Sequence, residues 1–141
     1  MKNEFQVEIV DSWDLCRQHI SEILAMSGET NLFLSIAWME SWWHYWRSGK
    51  QLRVYLFLKN KTPVGFAPLY YTKMLGIREY FFIGHRKSNY LGVVCPPSET
   101  MDVMKALLDS LRMTGKPSLV HFMDINSTSP TFSAISALSE S

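Results

Sequence analysis

A tryptophan-rich segment between Ser35 and Arg47 constrains the fold more than any other part of the chain. Four of the five tryptophans stand within nine residues here. At about 100° per residue, the large apolar side chains fill one half of a helical wheel, and charged and small side chains fill the other. The apolar half contains Ile36, Trp38, Met39, Trp42, Trp43, Tyr45 and Trp46. The pattern predicts an amphipathic helix with Ser35 as its N-cap.

Three interpretations of this helix are open. The rings can pack in the core, because each buried tryptophan removes roughly 150–250 Å² from water. They can instead form a platform for sugars or bases, which needs ring faces in solvent. A membrane-surface helix needs Lys and Arg massed on its polar face, and this face carries Arg47 beside Glu40. Core packing is the favoured interpretation, although Trp42 or Trp46 can line a pocket while mostly buried.

Composition limits the class of protein. The 141 residues suit one domain, and the net charge of +1 is mixed along the chain, so no nucleic-acid footprint is present. Cys16 and Cys95 lack the spacing of zinc ligands. No apolar run reaches the length of a membrane span, and the first residues do not form a signal segment. We therefore expect a soluble, reduced, cytoplasmic protein without metal or membrane span.

Hydrophobic periodicity predicts the order of the elements. Alternating apolar and polar residues predict a strand at 5–10, and the spacing and composition of a hairpin predict strands at 52–58 and 64–73. Strand-like segments follow at 78–83 and 119–123, with 90–95 extended. Helical spacing predicts helices that end near Gly28 and Gly115, the tryptophan helix, and a weak helix at 132–138. Pro68 lies within a predicted strand and indicates a bulge or an edge position. The predicted order is β-α-α-β-β-β-α-β-α.

This order is similar to the first nine elements of the GNAT acyltransferase fold, an α+β fold whose mixed, mostly antiparallel sheet is flanked by helices. The local sequence resembles the N-terminal region of the CelD-like acetyltransferases, cellulose-biosynthesis-associated members of the GNAT superfamily. The matching positions are 33–35, Trp38, Trp42-Trp43, 52–54, 64–65, 67–70 and 82–84, followed by Tyr90. Asn89 departs from the family, which tends to have an acidic residue before this tyrosine.

The resemblance implies that residues 1–141 form one GNAT-like domain, incomplete at its C-terminus, which is the N-terminal half of a two-half acyltransferase. The complete protein would use acetyl-CoA as co-substrate, and this chain would hold no cofactor. Its partner would be a C-terminal GNAT-like half or another chain that completes the fold, including a second copy in a homodimer. The acceptor would be an amine or a hydroxyl group, as in polysaccharide biosynthesis.

The residues of the turn before the third predicted helix bear on acyl-CoA binding. A GNAT enzyme holds the CoA pyrophosphate at this turn with backbone N–H groups and a helix N-terminus. Pro96 and Pro97 have no N–H group, and Glu99 places a carboxylate where a phosphate would lie. The chain contains no Gly-x-Gly sequence. We therefore expect that this half does not bind acyl-CoA by itself.

Residues that could act on a substrate are few, and the catalytic residues stay unknown. The substrate-binding candidates are Trp42, His85, Asn89 and Tyr90, because the last three form a polar cluster at a predicted strand end. A solvated loop, with Tyr90 closing the edge of the core, is the alternative.

The other histidines have simpler interpretations. His44 and Glu40 are predicted to form a surface pair, since they lie four residues apart on a helix. His19 and His121 are interpreted as ordinary helix and strand positions.

Three functions are compatible with the sequence. The leading hypothesis is a half-domain that supports a catalytic half and forms one wall of its acceptor groove. The rival is a non-enzymatic module that binds a glycan or a protein through the tryptophan helix or the region of Trp42 and Tyr90. The third is a small acetyltransferase completed by dimerisation, which the missing glycine motif disfavours.

Overall fold

The computed structural model describes residues 5–85, 91–123, 125 and 128–139. Within these residues the chain forms five strands and four α-helices. The strands are β1 (Gln6–Val10), β2 (Gln51–Lys59), β3 (Thr62–Met74), β4 (Ile77–Phe82) and β5 (Ser118–His121). The helices are α1 (Trp13–Ser27), α2 (Ile36–Trp46), α3 (Thr100–Arg112) and α4 (Pro130–Ser139), with short 3₁₀ turns at Leu32–Leu34 and Pro97–Glu99.

The strands form one sheet in the order β1-β2-β3-β4-β5. The first three pairs are antiparallel, whereas β4 and β5 are parallel and are connected through α3. A parallel pair needs a crossover of this kind, because the chain must return to the same end of the sheet. The predicted α+β class with a mixed sheet is confirmed.

Pro68 lies in the middle of the sheet, so its predicted edge position is wrong. It pairs with Val54 of β2, and the register shift between β2 and β3 lies elsewhere, at Phe57 and Leu58. The N–H of Phe66 donates to Val94 on the side away from β2, at 2.9 Å. Residues two apart in a strand point their N atoms to the same side. The nitrogen of Pro68 therefore faces the junction where β3 changes partner from Val94 to β4, and no ladder bond to β2 is lost.

The sheet has two faces, which we name after the helices that pack on them. The α2 face carries Tyr70, which contacts the ring of Trp42 at 5.5 Å between centroids. The α3 face carries Phe57 and its partner Gly65. A Cβ atom at Gly65 would lie 3.5 Å from a methyl group of Val103 in α3 and 2.9 Å from Cβ of Cys95. A side chain at this position would push α3 and the 91–95 segment away from the sheet.

Helix α2 begins as predicted but buries a narrower stripe than expected. The Ser35 hydroxyl accepts a hydrogen bond from the Trp38 N–H at 3.3 Å, which confirms the N-cap. Met39 and Trp42 are buried, whereas Tyr45 is 78% exposed and Trp46 45% exposed. Core packing, the favoured interpretation, therefore holds for Met39 and Trp42 but not for Tyr45 and Trp46. A helix that lies flat on a sheet covers a stripe near 100° wide, and half a wheel is wider than that.

Candidate functional site

A row of stacked rings crosses three adjacent strands on the α2 face. Tyr70 of β3, Phe81 of β4 and His121 of β5 are direct neighbours in the sheet register. The Tyr70 and Phe81 rings are 5.2 Å apart and 20° from parallel. Phe81 and His121 are 4.5 Å apart and 3° from parallel. We call these three residues the aromatic row.

Helix α2 covers one end of the aromatic row. Trp42 and Trp43 contact Tyr70, with ring centroids at 5.5 and 6.3 Å. Trp42 is 6% exposed, so this end belongs to the core. Because the register places Phe81 between Tyr70 and His121, both faces of its ring are covered. His121, in the last strand of the described sheet, is the end of the row that an outside molecule can approach.

His121 has a carboxylate neighbour. Its Nε2 atom lies 3.3 Å from Oε2 of Glu79, in contact but without the alignment of a hydrogen bond. The two side chains are 35% and 27% exposed, although Nε2 itself is buried. Nδ1 is therefore the ring nitrogen that remains for an outside group. The contact thus places a carboxylate beside the buried nitrogen of the ring.

His85 also contacts the aromatic row. It follows β4 directly, and its ring lies 4.6 Å from that of Phe81 at an angle of 36°. The structure therefore connects two of the substrate-binding candidates, Trp42 and His85, through Tyr70 and Phe81. The other two, Asn89 and Tyr90, lie outside the described residues.

Sequence reasoning missed His121 and Glu79 as a pair. Alternation in β4 already puts Glu79 and Phe81 on one face of the strand. The pairing of Phe81 with His121, however, depends on the register of a parallel strand whose residues are 40 positions away in the chain. No local pattern specifies that register.

The α2 face stays partly apolar and exposed next to the aromatic row. Leu119 pairs with Glu79 across β4 and β5 and is 53% exposed, and Ile77 is 38% exposed. Within the described part of the chain, no strand pairs with the outer edge of β5. An open strand edge beside exposed apolar side chains is a surface on which another sheet can add.

The turn before α3 has few donors for an anion. Pro96 and Pro97 lack N–H groups, and Glu99 at the N-cap position makes no side-chain capping bond. The Glu99 carboxylate lies 2.6 Å from Nζ of Lys59. The start of this helix thus already has a carboxylate beside it, paired with a lysine.

The cysteines are not suited to act as nucleophiles. Burial raises the pKa of the Cys16 thiol to about 11, and burial also raises the pKa of Cys95. Only the thiolate is strongly nucleophilic, so both thiols are unreactive near neutral pH. Among the described residues, no group of three or more His, Cys, Asp or Glu side chains could hold a metal ion.

The outer surface of α2 has a shallow hollow. Glu40 and His44 both line it, but they do not form the predicted surface pair. The hollow is lined by Ala37, Glu40, Ser41, His44 and Tyr45. The Glu40 carboxylate binds Arg17 of α1, with Nε–Oε2 at 3.2 Å, and the His44 ring packs edge-on against Tyr45. Arg17 thus takes the place predicted for His44, because a guanidinium can donate two parallel bonds to a carboxylate.

Comparisons with protein-family models, with curated protein sequences and with solved structures give no match to this chain. None of the helices in the described ranges combines the length and the apolar character that crossing a membrane requires. The geometry of the site is therefore the basis for the functional argument.

Proposed function

We propose that this chain is the acceptor-binding half of a GNAT-type acyltransferase. In this proposal it holds an amine or hydroxyl acceptor at His121, while a second half binds the acyl-CoA. The observation that carries the proposal is the contact between His121 and Glu79 at the open edge of β5. Stacking on Phe81 keeps the imidazole plane fixed.

His121 would serve as the general base. As the acceptor nitrogen or oxygen attacks the thioester carbonyl, it loses its proton to Nδ1 of His121. The new bond to the acyl carbon forms, the carbon–sulfur bond breaks, and the CoA thiolate leaves with the electron pair. The Glu79 carboxylate would lie beside the same ring, 3.3 Å from Nε2. A positioned base of this kind contributes about 10²–10⁴-fold to a rate.

Two features support the assignment to a half-domain. The mixed sheet, with a parallel pair formed through α3 at the end of an antiparallel series, is compatible with the α+β fold that the resemblance implies. The turn before α3 offers two prolines and a lysine-paired carboxylate in place of pyrophosphate donors. The acyl donor is therefore assigned to the other half, which would dock on β5 and the exposed side chains of Leu119 and Ile77.

A second candidate function is binding without catalysis, at the end of α2. Tyr45 and Trp46 are exposed there, and exposed rings can stack on a glycan or a partner protein. The aromatic row is less suited to stacking, since both faces of Phe81 are already covered. The two candidates therefore predict ligand contacts at different residues.

A titration with glucosamine, followed by NMR of the aromatic and histidine side chains, tests the proposal. We expect shifts at His121 and Phe81 and none at Tyr45. The His121→Gln variant should bind at least tenfold more weakly, and the control His44→Gln should bind like the parent. Shifts confined to Tyr45 and Trp46 would favour the second candidate. An unchanged His121 signal would contradict the acceptor site.

A further inference from the structure

The opposite face of the sheet carries a cluster of basic and tyrosine side chains. It lies where β3 ends and β4 begins, and we call it the basic cluster: Arg53, Tyr71, Lys73, Arg78 and Tyr80. The guanidinium carbons of Arg53 and Arg78 lie 5.1 and 4.5 Å from the centroid of the Tyr71 ring. Both guanidinium groups therefore contact the same tyrosine ring.

Arg78 is buried without a counter-charge. Its residue is 9% exposed, and its Nε atom is buried and makes no hydrogen bond. Nη1 donates to the Tyr80 hydroxyl at 3.4 Å, and Nη2 of Arg53 donates to the Tyr71 hydroxyl at 3.5 Å. Among the described residues, neither arginine contacts a carboxylate. Removing an ion from water is costly unless an opposite charge compensates for it.

Lys73 adds a third positive charge to the basic cluster. It is the direct partner of Arg78 in the register of β3 and β4, so both side chains leave the sheet on the same face. Like charges directly opposite each other in an antiparallel pair are destabilising. Three cations therefore share this end of the α3 face, and tyrosine hydroxyls are the polar groups that the arginines contact.

We propose that the basic cluster binds a dianionic phosphate group, carried by inorganic phosphate or by a phosphate monoester. A guanidinium matches two phosphate oxygens with parallel N–H bonds, and the buried Nε of Arg78 is a donor without a partner. The two negative charges of the phosphate balance two guanidinium groups, whereas a carboxylate supplies one. Arg53 is only partly buried, which leaves an approach from solvent.

Phosphate-dependent stability of the purified chain tests this site. Inorganic phosphate and glycerol 3-phosphate should raise the midpoint of thermal unfolding, whereas sodium chloride at equal ionic strength should not. At a phosphate concentration of ten times Kd, the unfolding constant should fall about 11-fold. Acetate should act much more weakly than phosphate. Equal effects of phosphate and chloride would overturn the proposal.

Single substitutions test whether phosphate binds at the basic cluster. Arg78→Gln should reduce phosphate affinity at least tenfold. Arg78→Lys should restore only part of that affinity, since a lysine ammonium cannot donate two parallel N–H bonds to two phosphate oxygens. Arg112→Gln is the control, because Arg112 is 76% exposed and pairs with Asp109. If Arg78→Gln does not fold, Arg53→Gln gives the same test at a less buried position. Phosphate binding that is unchanged in Arg53→Gln and Arg78→Gln would overturn the site.

Discussion

Replacing Trp42 tests whether the aromatic row depends on α2. Trp42 is 6% exposed, and its ring lies 5.5 Å from that of Tyr70. Truncation of a buried tryptophan to alanine costs about 3–5 kcal/mol, from lost burial and from the cavity left behind. The Nε1 atom of Trp42 is buried without a partner, so its removal gives back part of this cost. We therefore expect Trp42→Ala to lower the free energy of unfolding by about 3 kcal/mol.

Two matched variants make the prediction specific. Trp42→Phe keeps an aromatic ring and removes the unpaired N–H, so it should cost less than about 1.5 kcal/mol. Trp46→Ala removes a tryptophan that is 45% exposed in the same helix, so it should cost less than Trp42→Ala.

Urea unfolding followed by far-ultraviolet circular dichroism gives the three free energies, provided that the slope with urea stays constant. If Trp42→Ala costs no more than Trp46→Ala, the assignment of Trp42 to the core is wrong.

Three further predictions concern single positions. Gly92→Ala should destabilise the protein by about 1–3 kcal/mol in urea unfolding, because its Cβ would lie 2.7 Å from Oγ1 of Thr131. The additional change Thr131→Ala should recover part of that loss. Gly28→Ala should cost about 1 kcal/mol, since Gly28 ends α1 at φ 73° with nothing near its Cβ. Cys16 should resist a thiol reagent at pH 8 in the native state, because its pKa is about 11.

The raised pKa of Cys16 also sets a direction for stability with pH. Between the ordinary thiol pKa, near 8.5, and about 11, the unfolded chain loses this proton while the native protein keeps it. Stability should therefore be unaffected by this group below about pH 8.5 and fall as pH rises through that range. Cys16→Ala should remove the decrease in the free energy of unfolding that this thiol causes at alkaline pH. A parent protein that labels at pH 8 as fast as its unfolded chain would contradict the burial of the thiol.

Local patterns in the sequence were sufficient for the elements but not for their contacts. The spacing and composition of a hairpin placed β2 and β3, Ser35 predicted the start of α2, and Gly28 predicted the end of α1, because each depends on neighbouring residues alone. The exposure of Tyr45 and the central position of Pro68 depend on how the sheet is assembled. A helical wheel and a strand propensity contain no information about that assembly.

The two proposed sites depend on register in the same way. Glu79 and His121 meet through the parallel pairing of β4 with β5, and Lys73 meets Arg78 through the turn between β3 and β4. Alternation within β4 separates its two faces, with Glu79 on one and Arg78 on the other. Which residues lie opposite them is decided by the neighbouring strands, so sequence reasoning assigned neither site.

Calorimetric titration with acetyl-CoA tests most directly whether this chain binds only the acceptor and leaves the acyl-CoA to the other half. Saturating inorganic phosphate should be present, and Arg78→Gln should be measured beside the parent, so that CoA phosphates at the basic cluster do not contribute. We expect no saturable heat from either protein. Saturable binding that persists in both would contradict the half-domain proposal, because the turn with Pro96 and Pro97 would then hold an acyl-CoA.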